Sequence, residues 1–216
     1  MKLVWSPETA SKAYIDTVKS CELFQESGEA EFISAMAGGW NVKLIVEAYS
    51  HGCAMATSVG LAIAARHTGG RHVCMVSDER SRLHYINGML AAGIALPEVV
   101  VGAADEIVVG LVDIDFLVVN GQHKDLGRVI RLAKLSHTGA VLICKSFGQQ
   151  TMARFRWSGV LGSNTRVVRS LVLPVGKGLD IAYVEYNGGT TNSPKCTSRW
   201  IRHIDQRSGE EHLFRG

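Results

Sequence analysis

The pattern of apolar positions changes character at about residue 41. Before it, apolar residues follow helical spacing in two segments, one that begins with Ser6 as N-cap and Pro7 in the first turn, and a shorter one over 29–37. After it, short and nearly continuous apolar runs alternate with helical segments. Such runs predict parallel strands covered on both faces, so residues 41–186 are predicted to form an α/β domain.

The predicted strands lie at 43–47, 72–77, 98–102, 115–120, 140–144, 166–173 and 179–186. Predicted helices over 54–67, 80–92, 105–111 and 125–135 alternate with the first five strands, which makes these strands parallel. A tight turn over 174–178 joins the last two strands, so they are expected to form an antiparallel hairpin. The prediction is therefore a seven-stranded, mostly parallel sheet with helices on both faces and a C-terminal antiparallel hairpin.

Three regions follow from this pattern. Residues 1–40 are expected to be helices that pack on the core, and residues 41–186 the α/β domain. Residues 187–216 are polar and rich in Gly, Thr, Ser and Pro, and an extended or mobile tail is expected there.

Composition narrows the possible partners and the location. The formal net charge of +3 is too small to indicate binding to nucleic acid or to an anionic membrane. No apolar run approaches the roughly 20 residues that span a bilayer. The five cysteines are scattered, which favours buried, reduced thiols over a disulfide framework or a zinc site. The cytoplasm is the expected location.

Acidic and small residues follow several predicted strands, where α/β sheets bind their ligands. Glu47 ends the first strand, Asp78 and Glu79 follow the second, 102–104 follow the third, and Asn120 ends the fourth. An acid after the second strand can accept hydrogen bonds from both ribose hydroxyls of a nucleoside cofactor. The alternative is that Asp78 only caps the helix over 80–92.

The turn after the first strand, at residues 50–52, contains a single glycine, Gly52, flanked by Ser50 and Cys53. A dinucleotide site requires a glycine-rich turn at this point, because the pyrophosphate approaches the backbone closely. This turn therefore argues against a dinucleotide and favours a cofactor without phosphates.

Three side chains at or just beyond strand ends are candidates for a general base: His51, His123 and Lys145. The alternative for the histidines is a solvated loop position, and for Lys145 a side chain that extends into solvent. No histidine or cysteine group has metal-ligand spacing, so no metal site is predicted.

The order of elements resembles the Rossmann-like, seven-stranded fold of class I S-adenosylmethionine-dependent methyltransferases. The segment from Val168 to Leu179 resembles the terminal hairpin of small plant and bacterial O-methyltransferases. More closely, the chain resembles a plant family of uncharacterised methyltransferase-like proteins. The matching stretches are Trp5 to Ala10, Gly70 to Cys74, Phe116 to Val119, Arg131 to Leu135 and Ser198 to Ile201.

This resemblance implies a role for each position at the strand ends. Glu47, Ser50 and Gly52 would face the amino-acid part of S-adenosylmethionine, and Asp78 or Glu79 would hold its ribose. The residues that would border the adenine are Gly102, Ala103 and Ala104. Asn120 would lie beside the methyl donor, although such enzymes often carry an acid there. Because the Asp-x-Asp metal pattern of the catechol-type enzymes is also missing, no divalent metal is expected.

In the same fold, the position of 147–164 forms part of the lid over the acceptor. Arg154, Phe155 and Trp157 would then suit a planar, acidic or phenolic substrate. The alternative is that the two aromatic residues pack this segment against the sheet.

The expected function is that of an S-adenosylmethionine-dependent, methyltransferase-like protein that acts on a small molecule through an O- or N-acceptor. Two alternatives stay open: another reaction in the same crevice, such as isomerisation or cyclisation, or a catalytically silent binding protein. The expected partner is a small molecule, without nucleic acid or membrane, and a homodimer stays open.

Overall fold

The structure is a computed structural model that describes residues 5–24, 28–50, 54–121, 125–145, 156–186, 200–204 and 211–215. For residues 23, 200–204 and 211–215 the description covers the backbone alone.

Two helices, α1 (Pro7–Cys21) and α2 (Glu29–Gly39), precede the sheet, with a 3-10 turn over Glu22–Phe24 between them. The predicted cap is confirmed, since the Ser6 side chain accepts a hydrogen bond from the Thr9 N–H at 3.3 Å. Both helices pack on the core: Ala13, Ile33 and Ala37 are fully buried in a cluster with residues of the sheet.

The strands of the main sheet are β1 (Leu44–Tyr49), β2 (Arg71–Val76), β3 (Glu98–Val101), β4 (Phe116–Asn120), β5 (Ala140–Lys145), β6 (Thr165–Leu173) and β7 (Leu179–Tyr186). The helices between them are α3 (Met55–Thr68), α4 (Glu79–Ala91), α5 (Ala104–Gly110), α6 (Leu126–Leu132) and α7 (Trp157–Val160). The strand order is β3-β2-β1-β4-β5-β7-β6. The neighbours among β1–β5 pair in parallel, whereas β7 is antiparallel to both β5 and β6. The predicted α/β fold with a mixed sheet is confirmed.

The order of strands reverses beside β1. From β1 the chain runs outward through β2 to β3, and it then returns to place β4 on the other side of β1. The helices that follow β1 and β4 therefore leave on opposite sides, which opens a crevice at the carboxyl ends of these strands.

Two parts of the chain differ from the pattern-based prediction. Helix α6 ends at Leu132 instead of 135, because Leu135 is extended and forms an isolated parallel bridge with Ile114. In the predicted tail, β8 (Trp200–Ile204) and β9 (Glu211–Arg215) pair as a two-stranded antiparallel sheet. None of the helices in the described ranges is long and apolar enough to cross a membrane.

Candidate functional site

A crevice of about 290 Å³ lies at the carboxyl ends of β1 and β2 and at the turn after β3. Its described walls are formed by Ala48, Tyr49, Met75, Val76, Ser77, Gly102, Ala103, Ala104, Asp105 and Asp125. The volume is at the lower end of the roughly 300–1,000 Å³ that small-molecule sites enclose. Two other hollows of about 300 and 360 Å³ lie at the amino end of β2 and against α1. The first hollow is the candidate site, because it alone of these three lies at the strand-order reversal.

The turn after β3 brings backbone, not large side chains, to the crevice. Gly102 has a φ of 150° and its N–H donates to the carbonyl of Val76 at 2.9 Å, which ties the turn to the end of β2. Ala103 and Ala104 follow and begin α5. The structure thus brings together the three small residues that were predicted to border one ligand. Their size leaves the room that the crevice occupies.

Asp78 and Glu79, the acids after β2, are not among the described residues that line the crevice, whereas Ser77 is. The carboxylate of Asp78 accepts the Ser81 N–H at 2.7 Å and caps α4, and it also accepts the Ser77 hydroxyl at 2.7 Å. These two donors, the Ser77 hydroxyl first, hold the pKa of Asp78 below its ordinary value. Glu79 forms an ion pair with Arg82 on the surface of α4. Asp78 is therefore the N-cap of α4, as the alternative stated. Ser77 lies in the crevice wall where an acid was predicted.

Glu47 precedes Ala48 and Tyr49 at the end of β1 but is not among the described residues that line the crevice. Its side chain is buried, accepts a hydrogen bond from Ser58 at 2.8 Å and lies 3.4 Å from the Nε2 of buried His72. Its carboxylate thereby joins β1 to α3 inside the core. The contact between Glu47 and the amino-acid part of a cofactor stays a prediction.

Two carboxylates line the described crevice, and no lysine, arginine or histidine does. Asp105, in the first turn of α5, forms an ion pair of 2.8 Å with Arg128, whose side chain is largely exposed on α6. Asp125 precedes α6. The described walls therefore offer no cationic side chain to a phosphate.

Lys145 does not line the described crevice. It ends β5 in register with Asn120 of β4, and its side chain is buried. The ammonium donates to the Thr57 hydroxyl and lies 3.0 Å from a carboxylate oxygen of Glu29. The Lys145 nitrogen is thus engaged by Glu29 and Thr57, and its role as a general base stays a prediction.

Trp157 is 4% exposed and belongs to the core cluster that covers one face of the sheet. Its indole N–H donates to Asp180 of β7 at 2.7 Å. Burial raises the pKa of Asp180, and the indole hydrogen bond partly opposes this effect. This buried position agrees with the packing alternative, and a contact between Trp157 and an acceptor stays a prediction.

Five predicted site residues lie outside the described ranges: His51, Gly52, His123, Arg154 and Phe155. Ser50 is described, as a half-buried residue that follows β1, and Asn120 is half-buried at the end of β4. The predicted site did not include the four polar residues among the described crevice walls, namely Tyr49, Ser77, Asp105 and Asp125. Each lies within two residues of a predicted strand or helix end, which is the signal that could have found them. Among the described residues, no group of three or more metal-ligating side chains is present.

The model of a family described as "Protein of unknown function (DUF1442)" matches residues 1–216. The chain belongs to this family. No curated protein matches the sequence of this DUF1442 chain.

Solved structures share the fold of this DUF1442 protein at low sequence identity. A methyltransferase from Geobacter sulfurreducens is 18% identical, with a TM-score of 0.56 over 81% of this chain and 88% of that chain. An S-adenosylhomocysteine-bound methyltransferase from Podospora anserina is 12% identical, with a TM-score of 0.56 over 84% and 89%. The O-methyltransferase TomG from Streptomyces achromogenes, in complex with S-adenosylmethionine, is 19% identical, with a TM-score of 0.52 over 85% and 92%. The DUF1442 chain therefore has an α/β fold with a mixed sheet that resembles class I methyltransferases.

Proposed function

We propose that this protein binds S-adenosylmethionine in the crevice at the ends of β1, β2 and β3 and transfers its methyl group to a small molecule. The observation that carries the proposal is the crevice itself: it lies at the strand-order reversal and is bordered by the small residues 102–104. Its size and its carboxylate-lined wall suit a nucleoside without phosphates. The solved methyltransferases of the same fold that contain S-adenosylmethionine or S-adenosylhomocysteine support this choice of ligand.

The residues on the walls fit an adenosyl group. Ser77, next to β2, offers a hydroxyl for hydrogen bonding to a ribose, and the backbone from Gly102 to Ala104 offers a surface without large side chains for a flat base. The cofactor, when bound, supplies an electrophilic methyl group. The chain would then contribute by fixing the position of donor and acceptor, which is the main requirement of methyl transfer.

The remaining parts of the proposal concern the acceptor, the partners and the cellular location. The acceptor is proposed to be a small molecule that presents an oxygen or a nitrogen, with neither nucleic acid nor membrane as partner. A cytoplasmic location also belongs to the proposal.

Isothermal titration calorimetry with S-adenosylmethionine and S-adenosylhomocysteine tests it. We expect heat of binding for both ligands, and a loss of at least tenfold in affinity for Ala103→Phe, because the new ring would fill the crevice. Val109→Phe is the matched control: Val109 lies on α5, which Ala103 precedes, and it is 41% exposed, outside the crevice lining. Unchanged affinity in Ala103→Phe, or no binding by the unaltered protein at millimolar ligand, would contradict the proposal.

A second candidate is a catalytically silent binding protein on the same fold. It is favoured by the ion pair with Glu29 that engages Lys145, one of the candidate bases. Assays of methyl transfer from labelled S-adenosylmethionine to a panel of small phenols and amines separate the two candidates. Transfer that disappears in Ala103→Phe supports the enzyme, whereas ligand binding without transfer across the panel favours the silent protein.

A further inference from the structure

Helix α1 turns small residues toward the core and large apolar residues toward the surface. Its buried residues are Ala10, Ala13, Thr17 and Cys21. Tyr14, Ile15 and Val18 are instead 47%, 50% and 39% exposed. A surface helix of a globular protein normally turns its apolar stripe toward the core. The opposite arrangement in α1 leaves a group of large apolar side chains at the surface, which is the mark of an interaction site.

These exposed residues form one stripe with a hollow beside it. Counted from the exposed Ser11, the three large residues follow at i+3, i+4 and i+7, which is the spacing of one helix face. A hollow of about 360 Å³ lies along this stripe, and its described walls are Ala10, Ser11, Tyr14, Ile15 and Ala35. Because three of these walls are small side chains, the hollow has room for an apolar side chain from a partner.

The charges of α1 favour a second copy of the same helix in one direction. Glu8 lies in the first turn and Lys19 in the last, and both are exposed. The Glu8 carboxylate pairs with Lys12 of its own helix at 2.7 Å but is still 78% exposed, so it can accept from a second cation. Antiparallel packing of two copies across a two-fold axis brings Glu8 of each beside Lys19 of the other, whereas parallel packing brings like charges together.

The same antiparallel alignment also fills the hollow. When Glu8 of one copy lies opposite Lys19 of the other, Ile15 lies opposite Lys12. Lys12 follows Ser11 along the helix, so this position is at the level of the hollow. One alignment therefore pairs the charges at both ends of the stripe and places an apolar side chain at the hollow in its middle.

We propose that this stripe is the interface of a homodimer, in which two copies of α1 pack antiparallel and Ile15 of each enters the hollow of the other. A two-fold interface uses the same surface on both copies, so one stripe supplies both halves of the contact. Tyr14 and Val18 of both copies add apolar area, whose removal from water drives association. The stripe shares no residue with the described walls of the crevice, so this inference does not depend on the proposed function.

Analytical ultracentrifugation of the full chain over a range of concentrations tests the interface. We expect the unaltered protein to sediment with the mass of two chains. Ile15→Glu should weaken the dimer at least tenfold, because a carboxylate without a partner would enter the apolar hollow. Leu83→Glu is the matched control: Leu83 is 58% exposed on α4, and this variant should dimerise like the unaltered protein.

Charge reversal tests the direction of packing. Glu8→Lys and Lys19→Glu each bring like charges together at both ends of the interface, so each variant alone should dimerise at least threefold more weakly. An equimolar mixture of the two variants should form a heterodimer about as tight as the unaltered dimer, because opposite charges then meet at both ends. Thermal unfolding of each variant, followed by circular dichroism, separates a weaker interface from a loss of fold.

Three results would overturn the proposal. The first is a single-chain mass of the unaltered protein at every concentration up to the millimolar range. The second is equal dimerisation of Ile15→Glu and the unaltered protein, or loss of the dimer in Leu83→Glu instead. The third is a mixture of the two charge-reversed variants that associates no more tightly than either variant alone.

Discussion

The contact between Trp157 and Asp180 shows how one hydrogen bond fixes a short segment at the residue scale. Helix α7 has only four residues and follows a segment outside the described part of the chain. A helix of this length has little stability of its own. Its position therefore depends on the buried indole of Trp157 and on the hydrogen bond from this indole to β7.

Trp157→Phe should retain most of the apolar contact but leave the carboxylate of Asp180 without its donor. We expect a loss of about 1–3 kcal/mol in the free energy of unfolding at neutral pH. Because a buried carboxyl with a raised pKa binds protons more readily when folded, its contribution to stability falls as pH rises from its ordinary value through its folded pKa. Without the indole, this pKa rises further.

The stability deficit of Trp157→Phe should therefore be larger at pH 7 than at pH 4, as measured by urea denaturation at both values. Calorimetry of the same variant should give unchanged affinity for S-adenosylhomocysteine, since the indole is part of the core. A deficit independent of pH would contradict the role of Asp180, and a loss of ligand affinity without loss of stability would return Trp157 to the lid.

Individual site residues were predictable where a small side chain was required, and not where the direction of the side chain decided its role. Gly102, Ala103 and Ala104 could be selected because any turn after a buried strand at this edge brings its backbone to the crevice. Asp78 and Ser77 could not be distinguished, because an acid before a helix serves equally well as a cap. Glu47 could not be distinguished from Ala48 and Tyr49, because all three lie near the end of β1 and the sequence pattern does not say which of them reaches the crevice.

At the scale of elements, the N-terminal helices pack closely because small residues stand at their contacts. A Cβ at Gly60 of α3 would lie 2.8 Å from the carbonyl oxygen of Ala30 in α2, and close to Thr17 of α1. This glycine therefore lies where all three helices meet. Since α2 and α3 supply Glu29 and Thr57, their spacing also sets the geometry around Lys145.

Gly60→Ala should force α2 away from α3 and lower the free energy of unfolding by about 1–3 kcal/mol, despite the better helix propensity of alanine. Gly110→Ala is the matched control, because Gly110 ends α5 and a Cβ there would meet nothing within 4 Å. This control should be unchanged or gain up to about 1 kcal/mol. Equal chemical denaturation curves for both variants would show that the helix contact has no energetic importance.

Elements with a strong apolar period were predictable, and those fixed by tertiary contacts were not. The runs of β4 and β5 and the hairpin of β6 and β7 are visible in the sequence because their residues are apolar and their turn is rich in Gly and Pro. The early end of α6 depends on a bridge between Leu135 and Ile114, which only the assembled sheet provides. Strands β8 and β9 contain polar and apolar residues that do not alternate, and they lie in a polar region, so composition pointed to a tail.

At the scale of the whole molecule, the strand order places the crevice and the Lys145 ion pair at one edge of the sheet. The crevice lies at the ends of β1 to β3, and the Lys145 ion pair lies at the end of β5. The fold class could be predicted from the order of elements, whereas the ion pair could not, because Glu29 and Thr57 come from distant parts of the chain.

The most direct measurement of the central claim is a crystal structure of the full chain grown with S-adenosylhomocysteine. We predict electron density for the adenosine between Ser77 and the backbone of Gly102 to Ala104, with Glu47 still buried against Ser58. Density for the ligand at another place, or an empty crevice in crystals grown at ligand concentrations far above those used for the solution titrations, would contradict it.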